Sequence, residues 1–190
     1  MTGILSFIKR KILRINRERW NYQYQKGNWD GLKNEMEHDR FMAIVQLTER
    51  WKPHGDLLEI GCGEALLQQK LTANSYNSLT GVDLSDVAIE RAQVFANERT
   101  RYLVADMEVF KPDRVFDAII FTESLNYAKN PLSLLKRYQT YLKPDGVFII
   151  SMYDNKQIPQ IWQSLAAAFE VIDALQTSNE RGRWDCKVLR

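Results

Sequence analysis

The residues that offer chemistry sit mainly at the ends of apolar runs. Leu57-Leu58-Glu59-Ile60-Gly61-Cys62-Gly63-Glu64-Ala65 reads as a strand, a tight glycine turn and the start of a helix. Gly61 and Gly63 let the main chain bend sharply and pass close to a ligand where a Cβ would collide. Glu59 places a carboxylate two residues before the first of them. Leu79-Thr80-Gly81-Val82-Asp83 is a second strand that ends in an acid 20 residues after Gly63, and a carboxylate there accepts hydrogen bonds from both hydroxyls of a ribose. Asp106 closes a third apolar run, either to accept from the exocyclic amine of an adenine flanked by Leu84 and Met107, or to cap a helix. The first loop alone leaves a nicotinamide dinucleotide and a plain glycine turn open. The pyrophosphate fingerprint asks for glycine at the sixth position from Gly61, however, and that residue is Leu66.

These residues need a scaffold that gathers strand ends. Apolar runs of strand length occur at Leu57–Ile60, Leu79–Val82, Tyr102–Ala105, Val115–Phe121 and Gly146–Met152. They are continuous and not alternating, as in strands buried on both faces of a parallel sheet. Helical patterns lie between them. Ser85 is placed to cap a helix whose Ala88, Ala92, Phe95 and Ala96 share a face; Asn130-Pro131 opens another with Leu134, Leu135, Tyr138, Tyr141 and Leu142 inward; Pro159 opens a third with Ile161, Trp162, Leu165 and Phe169 inward. A helix over Met36 to Trp51 leads into the first strand. The alternation predicts a doubly wound α/β sheet in three layers, with ligands at the carboxyl ends of its strands. Phe169–Leu175 and Trp184–Leu189, joined by polar Gln176–Gly182, read as an antiparallel hairpin at the sheet edge.

The bulk numbers narrow the class. A chain of 190 residues that is 45% hydrophobic supports one domain with a real core. The net charge of +2 demands no nucleic-acid partner, but it is unevenly spread: residues 1–20 hold six Lys or Arg against Glu18, a net +5 that leaves −3 for the rest. Cys62 and Cys186 are far apart and form no zinc or disulfide pattern, so no metal is expected and a reducing, cytoplasmic setting is. No apolar run is long enough to span a bilayer, and the first residues lack the order of a signal peptide.

In sequence order, Glu59-x-Gly61-x-Gly63, Gly81-Val82-Asp83-Leu84-Ser85, Ala105-Asp106-Met107, Phe116-Asp117-Ala118-Ile119-Ile120 and Leu142-Lys143-Pro144-Asp145-Gly146-Val147-Phe148-Ile149-Ile150 carry a resemblance. Over Asp56 to Arg190 the chain resembles class I S-adenosylmethionine-dependent methyltransferases, most of all small bacterial sugar or metabolite methyltransferases of the nodulation N-methyltransferase type. The resemblance implies a seven-stranded, mostly parallel sheet of order 3-2-1-4-5-7-6 with its last strand antiparallel. It implies S-adenosyl-L-methionine as cofactor and S-adenosyl-L-homocysteine as product. Gly61, Cys62 and Gly63 would pass beneath the methionine portion, with Glu59 near its amino group, Asp83 on the ribose, Asp106 with Leu84 and Met107 at the adenine, and Phe121 in the same set. Ala65 stands where many members have a third glycine, and its small side chain is expected to be tolerated.

The flanking segments are read from their own residues and, for the arm, from the habit of small methyltransferases to fold this region over the cofactor. Residues 1–38 are expected to form an N-terminal helix and aromatic arm ahead of a methyltransferase domain at 39–190. Tyr24 and Trp29 in the aromatic stretch Trp20 to Trp29 are expected to close over the cofactor, where aromatic faces favour a sulfonium, or else to pack on the surface. Arg40 is expected to reach the methionine carboxylate. Glu123, after the fourth strand, is the candidate general base for a hydroxyl acceptor, or a cap or substrate hydrogen bond. His38 is a weaker candidate, and His54 lies on the wrong side of the first strand. The acceptor is expected to be a small molecule, with a sugar or lipid-linked sugar as the class and oxygen versus nitrogen open. Ile4, Leu5, Ile8, Ile12 and Ile15 among basic residues make an amphipathic helix that packs on the domain, forms a homodimer contact or rests on anionic lipid. Two other readings stay open: a methyltransferase-like binding subunit without catalysis, and an NAD-dependent oxidoreductase, which Leu66 disfavours.

Overall fold

A computed structural model describes residues 17–72 and 75–190. Its centre is a seven-stranded sheet of order β3-β2-β1-β4-β5-β7-β6. The strands are β1 (Gly55–Ile60), β2 (Tyr76–Asp83), β3 (Thr100–Val104), β4 (Phe116–Thr122), β5 (Leu142–Tyr153), β6 (Val171–Asn179) and β7 (Gly182–Leu189). The first five run parallel, and β7 pairs antiparallel with both β5 and β6. Among the described residues the helices are α1 (Arg17–Gln25), α2 (His38–Trp51), α3 (Asp86–Ala92), α4 (Pro131–Gln139) and α5 (Ile158–Ala166). None of them is long and apolar enough to cross a membrane.

Successive strand residues face opposite sides, so one strand feeds two cores. Leu57, Leu79, Ala118, Ile120 and Ile149 face α2, whose Phe41, Ile44, Val45 and Leu47 are buried against them. Leu58, Ile60, Ile119, Phe148 and Ile150 face the other way, onto Leu134, Leu135 and Tyr138 of α4 and Trp162 and Leu165 of α5. Truncating one of these buried aliphatic side chains to alanine is expected to cost about 2–5 kcal/mol. The expected caps are made. Ser85 Oγ accepts from Ala88 N at 3.2 Å, and Asn130 Oδ1 accepts from Ser133 N at 2.9 Å with Pro131 in the first turn.

Four local expectations are corrected. Residues 61–70 form consecutive turns instead of a regular helix, and Ala65 there adopts φ 63°. α3 stops at Ala92, so Phe95 and Ala96 do not extend its buried face; Phe95 is 38% exposed. The polar stretch expected to join the last two strands is mostly strand itself, because alternating exposed and half-buried residues suit an edge strand; only Glu180 and Arg181 form the turn. Phe169 precedes β6 as a buried turn residue packed edge-on to Phe148 at 5.7 Å. The amphipathic helix expected over residues 1–15 lies outside the described residues.

Candidate active site

A cavity of about 430 Å³ opens at the carboxyl ends of β1, β2, β4 and β5, under the arm formed by α1 and the 3₁₀ turns that follow it. Trp29, Arg40, Glu59, Gly61, Cys62, Gly63, Asp83, Leu84, Asp106, Met107 and Glu123 all line it. Phe121 does not, and its expected place in the cofactor set is corrected. By the two-residue period of β4 its ring points into the other core, fully buried and edge-on to Tyr138 at 5.8 Å. His38 is half-buried beside Glu35 and His54 sits in the turn before β1; neither lines the cavity.

Glu59, on β1, is 1% exposed. Its Oε1 accepts from Thr122 Oγ1 at 2.9 Å, whereas Oε2 has no partner. Burial, with the nearby charge of Asp83, pushes its pKa up to about 8. Arg40, on α2, is 4% exposed. Its Nε donates to Glu37 Oε2 at 2.5 Å, its Nη1 has no partner, and its guanidinium lies 4.3 Å from the Phe41 ring centroid. A buried acceptor and a buried cationic donor, each one bond short, cost free energy until a ligand completes them. Together they complement a group that carries both an ammonium and a carboxylate, as an α-amino acid does.

Asp83 ties the two strand-end loops together. Its Oδ2 accepts from Gly63 N at 3.0 Å and its Oδ1 from Ser85 N at 2.8 Å, while burial raises its pKa. Each oxygen keeps a lone pair for a further donor. The chain's own packing also demands the two glycines: a Cβ on Gly61 would overlap Ser124 Cβ, and one on Gly63 would lie 2.9 Å from Tyr24 Oη. Both have positive φ, 77° and 53°. Cys62 is buried between them, and burial raises its thiol pKa far enough to keep it inert. Asp106 lies two residues past β3, and its Oδ1 accepts from Glu108 N at 2.9 Å, bracing its own turn.

Aromatic rings roof the site. Trp20 stacks on Trp29 at 5.7 Å, meets Tyr127 edge-on at 5.0 Å, and Tyr24 lies 6.3 Å from Trp29. The arm is pinned from both ends. Arg17 and Asn21 hold Asp86, Asn21 accepts from Ser85 Oγ at 2.8 Å, and Lys33 reaches the buried Glu64 at 2.5 Å. Glu123, at φ 54°, also lines the cavity; Tyr153 N donates to its Oε2 at 2.7 Å and Ser151 Oγ to its Oε1. Burial raises its pKa against those two hydrogen bonds and the charge of Arg40.

Sequence reasoning missed Trp20, Tyr127, Glu37 and Arg181, which also line the cavity. Trp20 belongs to the aromatic stretch already singled out, and Tyr127 closes the segment that holds Glu123. Glu37 and Arg181 carry no local signal, because they meet only through the fold.

A family model described as Methyltransferase domain matches residues 34–184. The chain belongs to that family. Ubiquinone biosynthesis O-methyltransferase of Rickettsia akari (strain Hartford) is 26% identical to this methyltransferase domain over 153 residues, covering 77% of this chain and 60% of that one. Trans-aconitate 2-methyltransferase of Enterobacter sp. (strain 638) is 35% identical over 108 residues, 55% of this chain and 41% of that one. The chain thus spans about 60% or less of the length of these two relatives. The N-methyltransferase NodS from Bradyrhizobium japonicum WM9, solved with S-adenosyl-L-homocysteine, superposes with a TM-score of 0.72 at 20% identity, covering 85% of this chain and 90% of that one. The Burkholderia thailandensis 1,6-didemethyltoxoflavin-N1-methyltransferase superposes at 0.76 with 18% identity, covering 95% and 89%. The methyltransferase domain shares its fold with both.

Proposed function

We propose that this domain binds S-adenosyl-L-methionine and moves its methyl group to an oxygen or nitrogen of a small acceptor. The observation that carries the proposal is the pair of incomplete buried groups, Glu59 Oε2 and Arg40 Nη1, in one cavity with Asp83 and Asp106. Glu59 would take the amino group of the methionine portion, Arg40 its carboxylate, Asp83 the ribose hydroxyls and Asp106 the adenine amine, with Leu84 and Met107 on the ring. The cofactor's sulfonium supplies an already activated methyl, so the protein's main task is to align nucleophile and methyl carbon. Trp20, Tyr24 and Trp29 exclude water from above and present ring faces that favour positive charge.

For a hydroxyl acceptor, Glu123 takes the proton. Burial raises its pKa, which makes it a stronger base than an exposed carboxylate, and Ser151 and Tyr153 fix the carboxylate's orientation. Tyr127, Tyr153 and Trp184, with Asn126 and Asn155, also line the cavity. That lining suits a small ring bearing hydroxyl or amino groups, and a sugar or sugar-derived metabolite is the acceptor class we propose. The proteins named above include an O-methyltransferase and two N-methyltransferases, so the atom is decided by experiment. Incubation with labelled donor and a panel of amino and hydroxy sugars is expected to yield a labelled product. Bound donor with no labelled product across the panel and across hydroxylated aromatics would leave a binding subunit as the better description.

A further inference from the structure

Glu37 is 1% exposed and lies between two arginines from distant parts of the chain. Its Oε2 accepts from Arg40 Nε and its Oε1 from Arg181 Nη1, both at 2.5 Å. Arg181 belongs to the two-residue turn between β6 and β7, far from α2 in sequence. That turn is held in place on both sides: Asn179 Nδ2 donates to Met36 O at 2.7 Å, and Tyr153 Oη donates to Arg181 O at 2.9 Å. The terminal hairpin is therefore fastened to the segment that leads into the Arg40 helix.

The charges explain what this fastening does. Glu37 is shared between two guanidiniums, so it engages Arg40 through one oxygen only and leaves Nη1 of Arg40 unpartnered, with the buried Glu123 the other acid that feels the Arg40 charge. With Arg181 gone, the freed oxygen of Glu37 turns onto the Arg40 guanidinium in the bidentate fork that carboxylates prefer. Arg40 is then neutralised by its own neighbour and has less to offer an incoming anion. We infer that Arg181 is a positioning residue: it occupies one oxygen of Glu37 so that Arg40 keeps a free N–H for the cofactor's carboxylate. The inference rests on the proposed placement of the cofactor's amino acid between Glu59 and Arg40.

Calorimetric titration with two ligands tests it: S-adenosylhomocysteine, which carries the carboxylate, and 5′-methylthioadenosine, which lacks the amino acid. Arg181→Ala is expected to weaken S-adenosylhomocysteine about tenfold and 5′-methylthioadenosine less than about twofold, with Arg181→Lys recovering most of the loss. In a Glu37→Gln background, Arg181→Ala is expected to add less than about twofold, because the two residues act through one contact. Unchanged S-adenosylhomocysteine affinity in Arg181→Ala, or equal weakening of both ligands, would overturn the inference. Wild-type protein that binds no S-adenosylhomocysteine, or an Arg40→Met protein that binds it as well as wild type, would instead overturn the cofactor placement and this inference with it.

Discussion

Replacing Glu59 by glutamine should separate stability from function. Folding raises the pKa of Glu59 from 4.5 to about 8. The folded state therefore favours the protonated carboxyl, and the stability tied to this group is whole below pH 4.5 and lost as pH rises towards 8. Near neutral pH the gap is worth about 3 kcal/mol against the native state. Glutamine keeps the acceptor for Thr122 Oγ1 and carries no charge; its amide, left one partner short, returns about 1 kcal/mol of that gain. Glu59→Gln is expected to be about 2 kcal/mol more stable than wild type near pH 7.5 and no more stable near pH 4, a gain of about 4–8 °C in melting temperature at the higher pH. The same change removes the anion that would hold the cofactor's ammonium, weakening S-adenosylhomocysteine about 10- to 100-fold. Thermal melts at both pH values, with and without that ligand, read both effects. A variant no more stable than wild type near pH 7.5, or one whose advantage does not change with pH, would refute the argument that Glu59 is buried for the sake of a ligand.

Other substitutions probe the remaining parts of the site. Trp29→Ala should weaken S-adenosylmethionine about 2- to 30-fold more than S-adenosylhomocysteine, since the roof favours the sulfonium and only the former carries one; competition binding with both ligands checks this, and equal losses would contradict it. Glu123→Gln should lower kcat about 10²- to 10⁴-fold with a hydroxyl acceptor, and retention of full kcat in a steady-state assay would exclude the base role. Ala65→Val should destabilise the fold by about 3 kcal/mol, because a branched side chain must adopt a left-handed backbone in a packed site, whereas Ala65→Gly should stay within about 1 kcal/mol; urea titrations compare the two.

The alternation of strands and helices and the terminal hairpin were legible because apolar runs and turn residues repeat along the chain, whereas the strand order followed from the family resemblance. Glu59, Asp83, Asp106 and Glu123 were legible too, since each stands at or just past the carboxyl end of a parallel strand. Phe121 shows the limit: it is as apolar as its neighbours, and only the phase of β4 decides which face it takes. Ala65 shows another, because alanine in the usual place of a third glycine reads as a tolerated change, while its φ of 63° shows that it still adopts the left-handed backbone. Glu37 and Arg181 were invisible for a different reason, being 144 residues apart and joined by a single ion pair. Trp20 and Tyr127 fall between these cases, in segments whose importance was clear although the pairing of rings across them was not.

The account stands most directly on calorimetric titration of the wild-type domain with S-adenosylhomocysteine, run beside NAD. It predicts saturable binding of one S-adenosylhomocysteine per chain, tighter near pH 8 than near pH 6 as Glu59 loses its proton, and no binding of NAD. Absence of heat with S-adenosylhomocysteine, or equal affinity for NAD, would contradict it.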